Sequence, residues 1–304
     1  MADPTVQQLR YAVALADIRH FGRAARASFV SQPALSAQIR ELEARLRIQL
    51  FERTSRGVLI TEAGAEVIER ARRILHEVDD LCEAAVGVGG ELNGSLRLGV
   101  IPTIAPYVLP HAIGLIRDAY PALELYLRED RTEALIEQLQ AGELDLLLLS
   151  LPVARPGIEE FALYAEPFLL ALPETHALAR RRRCDVSELA DERLVLLEEG
   201  HCLRDQALAV CELAGRDGSA EVQGTSLPTV VQMVGSGLGV TLVPAGTVER
   251  DVRPGAHVVV RALQPPAPTR TVGLAYRSSS ARVAGYRQLG DLIRVAGHES
   301  MKHQ

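Results

Sequence analysis

The chain has 304 residues, of which 47% are hydrophobic and 24% charged, so it can bury the cores of two or three domains. This composition excludes a disordered chain, a collagen-like repeat and a small disulfide scaffold. Lys302 is the only lysine among 33 basic residues, which argues against enzymes that use a phosphate-binding or Schiff-base lysine.

The net charge of -6 is unevenly distributed along the chain. Residues 1–60 contain nine arginines and five acidic residues, whereas the remainder carries 24 basic and 34 acidic side chains. A basic end on an acidic body indicates that the first 60 residues contact a polyanion. The sequence has neither a signal-peptide pattern nor an apolar run of membrane-spanning length, and a soluble cytoplasmic protein is therefore expected.

The first 60 residues predict three short helices and a wing. Apolar residues at helical spacing define the first helix: Val6, Leu9, Val13 and Ala16. A second helix covers residues 21–27, and a third starts at Ser31 with a proline in its first turn. Residues 51–57 predict a turn between two short extended pieces. This order predicts a winged helix-turn-helix that binds DNA, with a small helical subdomain as the alternative.

The residues predicted to contact DNA lie on the outer face of the third helix and in the wing. Short polar and amide side chains suit base edges and phosphates, and wing arginines suit phosphates or the minor groove. These residues are Ser31, Gln32, Pro33, Ser36, Gln38, Arg40, Arg53 and Arg56.

Thr61 opens a long helix, residues 62–87, after the DNA-binding segment 1–61. Its apolar residues alternate spacings of four and three, as in a coiled-coil seam: Val67, Ala71, Ile74, Val78, Leu81 and Ala85. We interpret it as a dimerisation helix, with packing onto its own domain as the alternative. The glycine-rich residues 88–95 predict a hinge at a domain boundary.

Strands and helices alternate after the hinge, which predicts an α/β fold with a mainly parallel sheet. The order of these elements indicates two lobes. Residues 96–166 and 269–304 form the first lobe, and residues 167–268 form the second. Two such lobes place a ligand cleft between them, at the carboxyl ends of strands.

The four cysteines are Cys82, Cys184, Cys202 and Cys211, and no two of them form a CxxC pair. This spacing argues against a zinc ribbon or a thioredoxin motif, and neither a metal site nor a cofactor is expected. In a reducing cytosol all four are expected to be thiols at rest.

Residues 21–64 closely resemble the winged helix-turn-helix of LysR-type transcriptional regulators: FGRAARASFVSQPALSAQIRELEARLRIQLFERTSRGVLITEAG. The resemblance implies an α/β protein with an N-terminal all-α winged helix-turn-helix, a long linker helix and a two-lobed effector domain like that of periplasmic binding proteins. Three further segments resemble the hydrogen-peroxide-sensing members of that family: VIPTIAPYVLPH (100–111), EEGHCLRDQALAVCELAG (198–215) and TRTVGLAYR (269–277).

The resemblance also implies roles for individual residues. Hydrogen peroxide would oxidise Cys202 to a sulfenic acid, and Cys211 would then resolve it as a disulfide. The residues implied around the peroxide are Thr103, Thr132, His201 and Arg270. The implied partners are operator DNA, hydrogen peroxide, RNA polymerase for an activator, and further copies of the chain in a dimer or tetramer. No role as an enzyme is implied, and Cys82 and Cys184 receive no role.

The chemistry of these positions agrees with the implied roles. Cys202 stands at the start of a predicted helix beside His201, where the helix dipole and an imidazolium charge are expected to lower the thiol pKa. Cys202 and Cys211 are nine residues apart, about 13.5 Å along a continuous helix. A disulfide needs Cα atoms within about 7 Å, so the helix must bend or unwind before the bond forms.

Two other functions stay open. In the first, a LysR-type regulator binds a small metabolite in the cleft, and a Cys202→Ser chain would still respond. In the second, a cysteine-dependent peroxidase carries a DNA-binding domain, and repeated turnover with a reductant would identify it.

Overall fold

The computed structural model describes residues 3–54, 57–86, 92–213 and 222–302. The chain forms two compact units, one from residues 1–89 and the other from residues 90–139 and 144–304. Arg56 of the predicted wing and residues 88–91 of the predicted hinge lie outside the described residues.

The first unit begins with three helices, which are α1 (Val6–Ile18), α2 (Phe21–Ala27) and α3 (Gln32–Leu46). Thr5 caps α1 in a reciprocal capping box with Gln8, and Ser31 caps α3 by accepting a hydrogen bond from the Ala34 amide. Leu35, Ile39 and Leu42 recur at helical spacing, and all three are buried against α1 and α2.

A β-hairpin follows α3 and consists of β1 (Phe51–Thr54) and β2 (Gly57–Ile60), with Phe51 opposite Ile60. The Glu43 carboxylate on α3 accepts hydrogen bonds from the amides of Leu50 and Phe51 at 2.8 and 3.1 Å. These bonds fix the start of the hairpin to the third helix. The N-terminal half of the chain therefore has the helices and the wing of a winged helix-turn-helix.

The long helix α4 (Glu62–Val86) corrects part of the prediction for the apolar seam. Ala71 is buried and Val67 is half-buried in the core of the same unit, so the first part of the seam packs onto its own domain. Ile74 and Leu81 remain 49% and 69% exposed in this single chain. The side chains of Cys82 and Ala85 lie outside the described residues.

The second unit starts with β3 (Gly94–Val100), α5 (Ala105–Ala119), β4 (Leu123–Glu129), α6 (Thr132–Gln140) and β5 (Leu146–Leu151). It continues with β6 (Ile158–Pro173), β7 (Arg183–Cys184), β8 (Val195–Leu197), α7 (Cys202–Leu213), β9 (Val222–Gly224) and α8 (Leu227–Gly235). The last elements are β10 (Thr241–Pro244), α9 (Val248–Asp251), β11 (Val258–Leu263), β12 (Thr269–Arg277) and α10 (Val283–Ser300). Short 3-10 helices occupy residues 177–180, 186–189 and 245–247.

The main sheet has the strand order β4-β3-β5-β12-β6-β11-β7, and β10 also pairs with β6. The prediction of a mainly parallel sheet is wrong. Only β3 with β4, β3 with β5 and β11 with β7 are parallel pairs in this sheet, because β12, β10 and β11 all run antiparallel to β6. A separate parallel pair joins β8 to β9.

Strand β6 connects two hydrophobic cores within the second unit. Leu163 and Tyr164 belong to one core, which α5, β3, β5, β12 and α10 complete. Phe168 and Leu170 belong to the other, which lies around α7, α8 and β11. The α/β class and the N-terminal helix-turn-helix are confirmed. No helix within the described ranges is long and apolar enough to cross a membrane.

Candidate functional site

A small pocket in the second unit is formed by three segments that are distant in sequence. Residues 101–103 follow β3, residues 131–132 lead into α6, and residues 200–202 lead into α7. Its atom-free space is about 170 Å³, including the open mouth. The pocket is therefore suited to a ligand of a few heavy atoms. Thr103, Thr132, His201 and Cys202, which were predicted together, all line it.

Two helix starts place the reactive groups. Thr132 is the first residue of α6, and Cys202 is the first residue of α7. Gly200 has a φ of +87°, a left-handed conformation that permits the turn between β8 and α7. Because backbone N–H groups at a helix start have no partner within the helix, both residues face a region that favours negative charge.

A buried ion pair fixes Thr103. Arg270 donates from Nη1 to Thr103 Oγ1 and from Nη2 to the Thr103 carbonyl, both at 2.9 Å, and from Nε to Glu166 Oε2 at 2.8 Å. Glu166 also accepts a 2.7 Å hydrogen bond from the Gly246 amide. Because Arg270 can only donate, the Thr103 hydroxyl proton remains available to a ligand. The charges are tolerated because they are paired and hydrogen-bonded.

The Thr132 hydroxyl lies next to the Cys202 sulfur, where it lowers the pKa of the thiol. Among the described residues, Thr132 Oγ1 is buried without an ordinary hydrogen-bond partner. A buried hydroxyl without a partner carries a desolvation cost that a small polar ligand relieves. This hydroxyl therefore points to a ligand position beside the sulfur.

Burial raises the pKa of the Cys202 thiol, and the positive charge of Arg270 is the largest influence that lowers it. The expectation of an imidazolium that lowers this pKa is wrong. Burial and, to a smaller extent, the nearby Arg131 guanidinium lower the pKa of His201, so this imidazole is neutral near pH 7. His201 can accept or donate a hydrogen bond in the pocket, and Arg270 supplies the positive charge.

Sequence reasoning missed several residues around the site. Gln206 Nε2 donates to Ser150 Oγ at 2.6 Å, and its Oε1 is another buried atom without a partner in the described part of the chain. Gln206 follows Cys202 by one helical turn, and this i,i+4 spacing is the signal that would have identified it. Arg131 bonds the Glu199 carbonyl at 2.9 Å, a contact across 68 residues that no local pattern reveals.

Cys184, Cys202 and Cys211 are thiols in this structure. Cys211 and Cys184 are fully buried in the core around α7, α8 and β11, whereas Cys202 is half-buried and packs against the other core. Burial raises the pKa of Cys184, which favours a role in packing. Cys202 and Cys211 lie near opposite ends of the continuous α7, too far apart for a disulfide in this conformation.

The predicted DNA contacts lie in the first unit, at α3 and the hairpin. Gln32, Pro33 and Arg40 are exposed, and Ser31 uses its hydroxyl as the helix cap. Ser36 and Gln38 are half-buried, and the Gln38 side-chain oxygen accepts a hydrogen bond from Gln8 at 3.2 Å. The side chain of Arg53 and all of Arg56 lie outside the described residues.

Two family models match most of the chain. Residues 6–65 match the bacterial regulatory helix-turn-helix protein of the lysR family, and residues 89–296 match the LysR substrate binding domain. The DNA-binding transcriptional dual regulator OxyR of Escherichia coli (strain K12) is 44% identical over 290 residues, which cover 95% of each chain.

Solved structures of similar proteins include two OxyR mutants. Full-length OxyR of Pseudomonas aeruginosa with a cysteine-to-aspartate substitution has a TM-score of 0.81 and 35% identity, over 97% of this chain and 96% of that chain. A hydrogen-peroxide-bound cysteine-to-serine mutant of OxyR from Corynebacterium glutamicum has a TM-score of 0.70 and 36% identity, over 99% of this chain and 94% of that chain.

Proposed function

The chain belongs to the LysR family of bacterial regulatory helix-turn-helix proteins, and we propose that hydrogen peroxide switches it by oxidising Cys202. It is a redox-sensing transcriptional regulator, like the OxyR proteins to which it is similar along almost its whole length. One observation carries the proposal for the site. A half-buried thiol shares a small pocket with a buried hydroxyl that lacks a described partner, and Arg270 supplies a nearby positive charge.

The first chemical step is attack of the Cys202 thiolate on one oxygen of the peroxide. An S–O bond forms, the O–O bond breaks, and the second oxygen leaves as hydroxide and takes up a proton to become water. Thr132 and Arg270 stabilise the thiolate, and Arg270 also stabilises the departing hydroxide. Thr103, held by Arg270, and the neutral His201 position the peroxide through hydrogen bonds.

The second step joins the two cysteines. Cys211 attacks the sulfur of the Cys202 sulfenic acid, the S–S bond forms, and water leaves. Because α7 separates the two residues in the reduced structure, bond formation requires at least part of the helix to unwind. A covalent bond thereby selects a second conformation of the effector domain.

The remaining assignments follow from family membership and from the sequence. Residues 1–61 bind operator DNA through α3 and the hairpin, residues 62–87 mediate dimerisation, and residues 88–95 form the hinge. Two lobes, 96–166 with 269–304 and 167–268, form the effector domain. The assembled protein is a dimer or a tetramer in the cytoplasm and contacts RNA polymerase where it activates. It acts as a sensor, not as an enzyme, and consumes one peroxide per chain before a reductant restores it.

Mass spectrometry of the cysteines after one equivalent of peroxide tests this function. We expect the wild-type chain to form the Cys202–Cys211 disulfide and Cys211→Ser to stop at a Cys202 sulfenic acid. Cys202→Ser should retain DNA binding and lose the promoter response, whereas Cys184→Ser, the control, should behave as wild type. A promoter response to peroxide in the Cys202→Ser chain would show that the proposed switch is wrong.

A further inference from the structure

Arg131 lies at the mouth of the Cys202 pocket and connects two of its walls. It directly precedes Thr132, and its Nη1 donates to the Glu199 carbonyl at 2.9 Å while Nη2 lies 3.4 Å from Glu198 Oε2. Its carbon stem rests against Gly200, since a Cβ built at residue 200 would lie 3.2 Å from Arg131 Cδ. Arg131 therefore spans the pocket from the start of α6 to the segment before α7.

We propose that the Arg131 side chain sets the size limit for peroxides at Cys202, admitting hydrogen peroxide and excluding bulkier alkyl hydroperoxides. This inference rests on the proposed function and adds a specificity-determining residue to it. Arg131 has no assigned part in the chemistry of either step.

The need for such a barrier follows from the chemistry. A thiolate attacks an alkyl hydroperoxide in the same way as hydrogen peroxide: the S–O bond forms, the O–O bond breaks, and an alkoxide leaves and is protonated to an alcohol. The reacting bonds therefore do not distinguish the two oxidants. Access to the sulfur must distinguish them, because an added methyl or tert-butyl group needs space beside the reacting oxygens.

The packing of the pocket identifies Arg131 as its adjustable wall. Thr103 and Ile101 are buried, and Arg270 holds Thr103 through two hydrogen bonds. The Arg131 side chain is 46% exposed, so it can be shortened without opening a cavity in a core. The pocket has about 170 Å³ of atom-free space including its mouth, whereas a single water occupies about 30 Å³ of liquid. Hydrogen peroxide fits beneath the side chain, but a tert-butyl group meets its stem.

The test compares rates of Cys202 oxidation by hydrogen peroxide and by tert-butyl hydroperoxide in the full-length chain. Loss of the thiol is measured by rapid quenching and mass spectrometry. Arg131→Ala is expected to raise the rate with tert-butyl hydroperoxide, relative to hydrogen peroxide, by about tenfold or more. Any change in the reactivity of the thiolate caused by the lost charge affects both oxidants and cancels in this ratio.

Two further variants complete the experiment. Arg131→Lys keeps a long stem and a positive charge and should retain the wild-type ratio. Arg155→Ala is the matched control, because Arg155 also pairs with a glutamate, Glu133 of α6, and is 47% exposed, but it does not line the pocket. Its ratio should equal that of wild type.

The inference is overturned if Arg131→Ala reacts with hydrogen peroxide but keeps the wild-type ratio. It is also overturned if Arg131→Lys or Arg155→Ala raises the ratio as much as Arg131→Ala does. Failure of wild-type Cys202 to react with hydrogen peroxide would instead refute the proposed function, and the size limit would fall with it.

Discussion

At the residue scale, the Cys202 thiol is subject to opposing influences. Burial raises its pKa, while the Arg270 charge and the Thr132 hydroxyl lower it. Because only the thiolate reacts, the oxidation rate should increase as the pH rises toward and through this raised pKa. The groups that stabilise the thiolate therefore control how much of the reactive form exists at neutral pH. Of these, Thr132 offers the cleaner test, since removing Arg270 would leave the buried Glu166 without its ion-pair partner.

Thr132→Val should slow the oxidation of Cys202 by hydrogen peroxide at pH 7 by roughly tenfold, equivalent to about 1.4 kcal/mol. Valine has nearly the shape of threonine but cannot stabilise the thiolate, so the thiol pKa rises further and the rate profile moves to higher pH. Thr132→Ser keeps the hydroxyl and should lie close to wild type. The measurement is the rate constant between pH 6 and 10, and coincident profiles for valine and threonine would exclude this role.

At the element scale, sequence periodicity predicted helices with one buried face better than it predicted strands. Leu35, Ile39 and Leu42 made α3 recognisable because a helix buries every third or fourth residue. Only 168–172 was predicted of the sixteen-residue β6, because residues 158–167 contain three glutamates and two prolines' worth of interruption is avoided only by pairing with β12. The direction of that pairing depends on a partner about 110 residues away, which local sequence does not encode.

The site was predicted to a similar extent. His201 and Cys202 are adjacent in a discriminating motif, and Thr103, Thr132 and Arg270 were found by resemblance. Glu166 was missed because its bond to Arg270 spans 104 residues, and a glutamate within a strand carries no sign of such a partner. A motif therefore identifies the reactive atoms, whereas the residues that set their pKa emerge only from the fold.

The helix α7 is the element that oxidation must change. Its first turn is anchored by Arg204, which donates to the Leu197 carbonyl at 3.1 Å, and by Gln206, which donates to Ser150. Its later part, with Cys211, is buried in the second core. Bringing the two sulfurs together breaks helical hydrogen bonds between these anchors.

Hydrogen exchange should detect this unwinding. In the reduced chain, amides of residues 206–211 are expected to be protected, because they lie inside α7. Peroxide should increase their exchange in the wild-type chain. Cys211→Ser forms no disulfide, so its α7 should stay protected after the same treatment, and α10 serves as an internal reference in both. Equal protection of α7 in the reduced and disulfide-bonded chains would contradict the unwinding.

At the scale of the whole molecule, redox chemistry and DNA recognition belong to different compact units. Cys202 lies in the second unit, and the predicted recognition helix α3 lies in the first. Within the second unit, α7 contacts both cores, since Cys202 packs against one and Cys211 is buried in the other. A change in α7 therefore alters packing in both lobes, and this is the structural basis on which oxidation can reach the surfaces that assemble the regulator.

Dimerisation through α4 is the remaining link to DNA. Ile74 and Leu81 are seven residues apart on one face of α4, and both are exposed in the single chain. We expect the double variant Ile74→Glu with Leu81→Glu to be monomeric, because pairing would bury four carboxylates in an apolar seam. A monomer holds one half-site instead of two, so its affinity for a two-fold-related operator should fall about a hundredfold or more.

Sedimentation and operator binding measure these two effects, and peroxide oxidation provides an independent check on folding. Cys202 should react with peroxide at the wild-type rate in the double variant, because the substitutions lie in the first unit. Arg70→Glu changes a 65% exposed α4 side chain outside the seam and should remain dimeric. A double variant that sediments as a dimer and binds the operator normally would show that α4 does not mediate assembly, and the dimer contact would then have to lie in the effector domain.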